Sequence, residues 1–113
     1  MDITCGRLTI QDIIACSLDL KKSEYKLFEI LLREKEPLTI IDLSKKLSLD
    51  RTTVQKILKV FSHKGLVQRY QLNLENGGYV FRYAVKDKQS IKKHLKTMLK
   101  NWYETSSNTI EQW

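Results

Sequence analysis

Several residue types that would indicate a particular class of protein are scarce in this 113-residue sequence. The longest unbroken apolar run is Ile13 to Cys16, far below the ~20 residues that a membrane-spanning helix needs. No secretory signal is visible, so we expect a cytoplasmic protein that does not enter a membrane. With one proline, four glycines and no Gly-rich or Ser-rich linker, the chain is expected to form a single domain, residues 1–113, with a modest core.

Cysteine and histidine are also scarce. Cys5, Cys16, His63 and His94 are too few and too widely spaced to indicate a zinc site. We expect Cys16 to be a small buried residue and Cys5 an incidental terminal thiol, because free cysteine usually behaves as a small apolar side chain. The alternative is a redox-sensing pair.

No group of residues with catalytic chemistry is apparent. The sequence lacks a Gly-rich phosphate loop, paired carboxylates in an apolar setting, and a Ser or Cys nucleophile near a histidine. His63 lies among basic and polar residues and His94 in a Lys-rich segment, so both are expected at the surface. The sequence therefore predicts neither an enzyme nor a bound metal or cofactor.

The positive charge is concentrated in the second part of the chain. Residues 1–50 carry 8 Lys/Arg and 9 Asp/Glu, a balance of −1, whereas residues 51–113 carry 12 and 4, a balance of +8. Together these account for the net charge of +7. Such an asymmetry is expected when one surface meets a polyanion.

The segment from Thr39 to Leu66 has the pattern of two short helices joined by a tight turn. Thr39 can cap the first helix with Asp42 near its positive end, and Asp50 can cap the second. Gly65 is placed to end the second helix as its C′ residue. At helical spacing, the apolar residues are Ile40, Leu43 and Leu47 in the first helix and Val54, Ile57, Leu58 and Phe61 in the second.

The second helix of this pair has a face without acidic residues. Opposite its apolar stripe are Thr52, Lys56, Lys59 and His63, with Gln55 at the flank, and no carboxylate lies between residues 51 and 64. A helix in the DNA major groove needs such a face, with donors for phosphates and base edges. The alternative is a solvated, Lys-rich face on an ordinary core helix.

A β-hairpin is predicted directly after this helix. Residues 67–74 and 79–85 alternate in polarity, and Glu75 to Gly78 between them include the Asn-Gly and Gly-Gly pairs that a hairpin tip requires. Phe81, Tyr83 and Val85 should share one strand face. Helix, turn, helix and hairpin in this order specify a winged helix-turn-helix, a mainly α fold with a small β-hairpin.

Further helices are predicted on both sides of the helix pair. Thr9 and Asp12 cap a helix over 9–17, whose apolar stripe (Ile10, Ile13, Ile14 and Leu18) packs either on the domain's own core or on a partner subunit. Residues 23–34 form a scaffold helix with apolar Leu27, Phe28, Ile30, Leu31 and Leu32, and Pro37 follows it. A C-terminal helix over 88–104 has a narrow stripe, for which we favour dimerisation over folding back onto the first helices. Its five lysines are expected to be a solvated face, and residues 105–113 to be frayed or loosely docked.

The run from residue 18 to about residue 86 resembles the winged-helix domain of TrmB-type and MarR-type transcriptional regulators. The matching motifs are LDLKKSEYKLFEILL with Tyr25 and Phe28, Pro37-Leu38-Thr39, Leu49-Asp50-Arg51-Thr52, Lys64-Gly65-Leu66-Val67, and Phe81 to Val85 in the hairpin. The resemblance implies DNA binding and dimerisation through helices flanking a winged core at 22–86. The sequence departs from TrmB-type regulators in lacking the long C-terminal sugar-binding part, so no sugar ligand is expected.

The resulting hypothesis is a homodimeric regulator that binds double-stranded DNA sequence-specifically, with helix 51–64 in the major groove and the 67–86 wing on the backbone or minor groove. One alternative is a winged-helix assembly module without DNA contact. Another is an RNA-binding domain. It has less support, because the hairpin aromatics suit hairpin and core packing better than an open stacking platform; these residues are Tyr70, Tyr79, Phe81 and Tyr83. The predicted DNA contacts are Thr39, Arg51, Thr52, Thr53, Gln55, Lys56, Lys59, Asn76 and Arg82, and the predicted dimer contacts are Ile10, Ile14, Ile91, Leu95, Met98 and Trp102.

Overall fold

A computed structural model describes residues 9–113 of the chain. These residues form five helices and a three-stranded antiparallel sheet, which confirms the predicted winged helix-turn-helix with flanking helices. The elements in order are α1 (Ile10–Ser17), α2 (Lys22–Arg33), β1 (Leu38–Thr39), α3 (Ile40–Leu47), α4 (Arg51–His63), β2 (Val67–Asn73), β3 (Tyr79–Val85) and α5 (Lys88–Glu111).

The chain divides into two compact units. One unit is Lys22–Lys86, and it contains α2 to α4 and the sheet. The other contains α1 and α5, from the N-terminal and C-terminal parts of the chain.

Helix α4 is anchored in the core of the winged unit by its predicted apolar stripe. Val54, Ile57, Leu58 and Phe61 are all buried, as their helical spacing predicts. The ring of Phe61 packs edge-to-face on that of Phe28 of α2, with centroids 5.7 Å apart. Burying this stripe turns the opposite side of α4 to solvent.

Local hydrogen bonds fix both ends of the helix-turn-helix. At the start of α3, Thr39 and Asp42 form a capping box in which each side chain accepts from the other residue's backbone N–H. At the end of α4, Gly65 has φ +71°, and the Gly65 and Leu66 N–H groups donate to the Ser62 and Phe61 carbonyls. This is a Schellman motif, and it confirms Gly65 as the C′ residue.

The sheet has the order β1-β3-β2, and the β2–β3 hairpin closely follows the predicted limits. Gly77 and Gly78 at its tip have positive φ angles, as the Asn-Gly and Gly-Gly pairs predict. The register places Val67, Arg69, Phe81, Tyr83 and Val85 on one face, because directly opposed residues share a face.

Strand β1 was not expected, because residues 37–39 were interpreted only as the start of the α3 helix. Leu38 and Thr39 pair with Tyr83 and Arg82 of β3. The pairing joins residues more than forty positions apart, and local periodicity carries no signal of such a contact.

In the other unit, α1 packs against α5. The capping box of Thr9 and Asp12 is present, and Ile14 and Leu18 are buried. Ile10, by contrast, is 58% exposed. The apolar stripe of α1 is therefore only partly covered by the residues that the structure describes.

Helix α5 is longer than predicted. The expectation of a frayed or loosely docked segment after residue 104 was wrong, because the helix continues to Glu111. Residues 88–111 contain neither glycine nor proline, and the Thr109 hydroxyl donates to the Thr105 carbonyl at 3.0 Å, one turn earlier. These polar residues are therefore compatible with a continuous helix.

Two side chains expected to be buried are exposed. Cys16 is a free, exposed thiol, because α1 buries the side that carries Ile14 and Leu18, and Cys16 lies two residues, about 200°, beyond Ile14. Leu32 lies about 100° around α2 from the buried Leu31 and is 37% exposed. Cys5 lies outside the described residues, so the structure does not address the thiol-pair hypothesis.

Candidate nucleic-acid interface

The predicted contact residues on α4 lie on its solvent side. Arg51, Thr52, Gln55, Lys56 and Lys59 are all exposed. Within the part of the chain that the structure describes, Arg51, Lys56 and Lys59 form no ion pair with a carboxylate. Their positive charges are therefore available to an external anion.

One carboxylate lies at the beginning of this face. Asp50 occupies the N-cap position of α4, but its side chain accepts from the hydroxyl of Thr53 instead of capping a backbone N–H. This hydrogen bond is the main cause that lowers the pKa of Asp50, and the charge of nearby Lys56 contributes. The Thr53 hydroxyl would have to leave Asp50 before it could donate to DNA.

Thr39 keeps only part of the binding capacity that was predicted for it. Its backbone N–H, expected to bind a phosphate, donates to the Asp42 carboxylate at 3.1 Å. Its hydroxyl oxygen accepts from the Asp42 N–H, also at 3.1 Å. The hydroxyl proton of Thr39 is left as the donor for a phosphate.

A groove of about 670 Å³ lies between α4 and the hairpin, and we call it the α4–wing groove. Among the described residues that line it, none carries a carboxylate, whereas lysine, arginine, histidine, glutamine and serine side chains supply donors. Its lining residues are Gln55, Leu58, Lys59, Ser62 and His63 of α4, Arg69, Phe81 and Tyr83 of the sheet, and Ile40 of α3.

Arg69 is the main cationic residue of this groove that the sequence reasoning missed. Its guanidinium carbon lies 4.0 Å from the centroid of the Phe81 ring, and Phe81 in turn packs on Tyr79 with centroids 5.3 Å apart. The signal was available in the alternation of β2, since Arg69 lies two residues after the apolar Val67 and so on the same strand face.

The two predicted wing residues, Asn76 and Arg82, lie on the hairpin but do not line the α4–wing groove. Asn76 is exposed at the hairpin tip. Arg82 alternates with Phe81 and Tyr83, so it lies on the sheet face opposite the α4–wing groove. Its Nε atom is buried and has no hydrogen-bond partner among the described residues.

The aromatic residues of the hairpin are only partly buried. Tyr83 belongs to the core, as expected, but Tyr70 and Tyr79 are 43% and 57% exposed. Tyr70 donates its hydroxyl proton to Gln68 at 2.7 Å, and Tyr79 packs edge-to-face on Phe81. These rings are thus held by neighbours on the hairpin itself.

The residues predicted for a dimer interface fall into two groups. Ile14, Ile91 and Leu95 are buried within the single chain, whereas Ile10, Met98 and Trp102 are exposed. Met98 and Trp102 line a cavity of about 120 Å³ together with α1 residues. Further exposed apolar residues continue along α5 as Leu99, Tyr103 and Ile110, and Trp113 follows the end of the helix. Ile110 and Trp113 lie past residue 104, where the predicted helix ended.

Comparison with known proteins places the chain in a family. The family model described as sugar-specific transcriptional regulator TrmB matches residues 14–89, which include α2 to β3. The chain belongs to the TrmB family. The predicted resemblance to winged-helix transcriptional regulators is thereby confirmed.

Two relatives match most of the chain's length. A possible transcriptional regulator from Methanosarcina mazei has a solved structure with a TM-score of 0.82 and 31% identity, covering 100% of this chain and 95% of that one. An uncharacterized protein of Methanocaldococcus jannaschii is 29% identical over 108 residues, which cover 96% of this chain and 81% of that protein.

A more distant structure shares the fold. The Staphylococcus aureus MepR–DNA complex has a TM-score of 0.56 and 18% identity, covering 87% of this chain and 70% of MepR. Separately, none of the helices described over residues 9–113 is long and apolar enough to cross a membrane.

Proposed function

We propose that this TrmB-family chain is a cytoplasmic homodimer that binds duplex DNA sequence-specifically, with α4 in the major groove and the β2–β3 hairpin on the backbone or minor groove. The observation that carries the proposal is the solvent face of α4. A fully buried apolar stripe fixes the helix, and its other side presents Gln55, Lys56 and Lys59 without an intervening carboxylate. Such a face suits a polyanion with readable base edges.

The contacts follow from side-chain chemistry. Gln55 can pair bidentately with adenine, while Arg51, Lys56 or Lys59 can donate to guanine. Thr52 suits a phosphate or a thymine methyl group. On the periphery, the Thr39 hydroxyl donates to a phosphate and Asn76 at the hairpin tip contacts the backbone or minor groove. The Thr53 hydroxyl can donate to DNA once it leaves Asp50. We do not include Arg82 among the proposed DNA contacts, because it lies on the other face of the sheet.

The comparisons support this proposal at the level of fold and family. The family consists of transcriptional regulators. MepR, which shares the fold, has been solved with DNA. We infer that the same side of the fold meets DNA in this chain.

The exposed side chains of α5 support a homodimer. The helix has 24 residues, about 36 Å of length, and its exposed apolar residues run along much of it. A second copy of α5 would cover them, and a symmetric dimer would read two half-sites about 34 Å apart. We expect Trp102→Glu with Tyr103→Glu to convert the dimer to a monomer in sedimentation equilibrium, since each buried charge opposes pairing. A wild-type chain that already sediments as a monomer at micromolar concentration would contradict the homodimer.

The placement of α4 is tested by Lys56→Ala and Lys59→Ala, measured by fluorescence anisotropy on a labelled duplex. Each variant removes one exposed charge from the proposed interface, so each should weaken binding about tenfold. Lys35→Ala, an exposed lysine outside α4, is the matched control and should leave affinity unchanged. If both α4 variants stay within twofold of wild type, α4 does not lie in the groove.

A further inference from the structure

The α4–wing groove has cationic side chains on both of its walls. Lys59 comes from α4, and Arg69 comes from β2. None of the described lining residues supplies a carboxylate to balance them, and Arg69 forms no ion pair within residues 9–113. Side chains of one sign that converge without a counter-charge are stabilised when an anion enters between them.

Arg69 is held in a defined position within this groove. It lies near the base of the hairpin, where β2 is paired with β3 and Arg69 is directly opposite Tyr83. Its guanidinium carbon lies 4.0 Å from the centroid of the ring of Phe81, its diagonal neighbour. This cation–π contact leaves the guanidinium with N–H groups that can donate to another acceptor.

The shape and chemistry of the groove favour a phosphate over a base edge. Its lining includes the apolar Leu58 and Phe81, and its charged side chains, Lys59 and Arg69, can only donate, whereas Gln55 of α4 is the lining residue proposed to read a base. Base edges present both donors and acceptors, whereas phosphate oxygens only accept. A planar arginine also matches phosphate geometry through two parallel hydrogen bonds.

We propose that the α4–wing groove holds one sugar–phosphate strand of the duplex and that Arg69, stacked on Phe81, is its phosphate-binding cation. The inference rests on the proposed function, because it requires that α4 meets DNA. It adds a contact that links the recognition helix to the wing across one DNA strand. Because phosphates carry no sequence information, Arg69 contributes equally to all sequences.

The test measures the salt dependence of binding to a fluorescent random-sequence duplex. For each phosphate that the protein no longer binds, the slope of log K against log salt should fall in magnitude by about 0.9. Arg69→Ala should therefore reduce the slope by about that amount and weaken binding roughly fivefold to tenfold at low salt. Arg69→Lys keeps the charge, so its slope should return to the wild-type value while its affinity stays below wild type, because lysine cannot pair bidentately.

Two further variants separate this role from general effects of charge and of stability. Arg33→Ala removes an equally charged, exposed residue of α2 that pairs with Glu29, and its slope should equal that of wild type. Phe81→Leu keeps Arg69 but removes its aromatic support, so the slope should persist while affinity falls several-fold. Thermal unfolding of each variant checks that the fold is retained.

The outcomes distinguish the two proposals. A steep wild-type slope that Arg69→Ala reduces and Arg33→Ala does not would support the groove assignment. A steep wild-type slope that Arg69→Ala leaves unchanged would overturn the assignment of Arg69 and leave the DNA-binding proposal standing. Flat, weak binding by the wild type would overturn both.

Discussion

Replacing Phe61 by alanine tests whether the core of the winged unit supports α4 as the structure indicates. The Phe61 side chain is fully buried and packs edge-to-face on the equally buried Phe28 at 5.7 Å. Truncating a buried phenylalanine costs about 3–5 kcal/mol, and this range includes both the transfer free energy of the removed atoms and the cavity left behind. A domain of this size has a free energy of unfolding of roughly 5–15 kcal/mol, so Phe61→Ala should remove a large share of it.

Urea unfolding followed by circular dichroism, at one fixed protein concentration, measures this loss. With a slope of about 2 kcal/mol per molar urea, a loss of ~4 kcal/mol lowers the midpoint by about 2 M. Val60→Ala, the adjacent and partly exposed position on α4, is the control and should change stability by no more than about 0.5 kcal/mol. If Phe61→Ala cost under 1 kcal/mol with an unchanged urea slope, Phe61 would not be a core residue of the folded chain.

Three further changes have defined outcomes. Gly65→Ala places a side chain at φ +71° with nothing within 4 Å to clash, so we expect it to lose only the conformational cost, roughly 1–2 kcal/mol in urea unfolding. Gly65→Asn should lose less, because asparagine tolerates the left-handed conformation better. Equal stability of the wild type and both variants would contradict the left-handed cap. Because the pKa of Asp50 is lowered in the folded state, its hydrogen bond with Thr53 stabilises the fold above the unfolded pKa of about 3.9 and loses that effect as pH falls through the folded value. The difference in melting temperature between wild type and Thr53→Val should therefore shrink below about pH 4, and a constant difference would refute the link. Gln55→Ala should reduce discrimination between a selected operator and random duplex by about tenfold, measured by competition, while leaving the salt slope unchanged; a fall in affinity for both duplexes alike would instead assign Gln55 to a phosphate.

The winged core could be predicted because its signals are local. Helical spacing places Val54, Ile57, Leu58 and Phe61 on one side of α4, and a glycine after the last turn marks its end. The hairpin could be located because glycine pairs tolerate the positive φ angles of its tip. The exposed face of α4 followed directly from the position of its buried stripe.

What the sequence did not predict depends on contacts between distant residues or on strand register. Strand β1 exists only through its pairing with β3, and the α4–wing groove exists only where the sheet meets α4. Arg82 was predicted as a wing contact without knowledge of the strand register, and the alternation of β3 places it on the face opposite Phe81 and Tyr83. Ile91 and Leu95 are buried whereas Met98 and Trp102 are exposed, and this difference depends on tertiary packing that the spacing of their stripe does not reveal.

The most direct test of the central claim is a titration of the wild-type protein against a fluorescent random-sequence duplex at several salt concentrations. If α4 and the wing meet DNA, affinity should fall steeply with salt, with a slope of about 0.9 for each phosphate contacted and several phosphates displaced. Binding that is weak and insensitive to salt would contradict DNA binding by this surface. That result would instead favour a winged-helix assembly module whose partner is another protein.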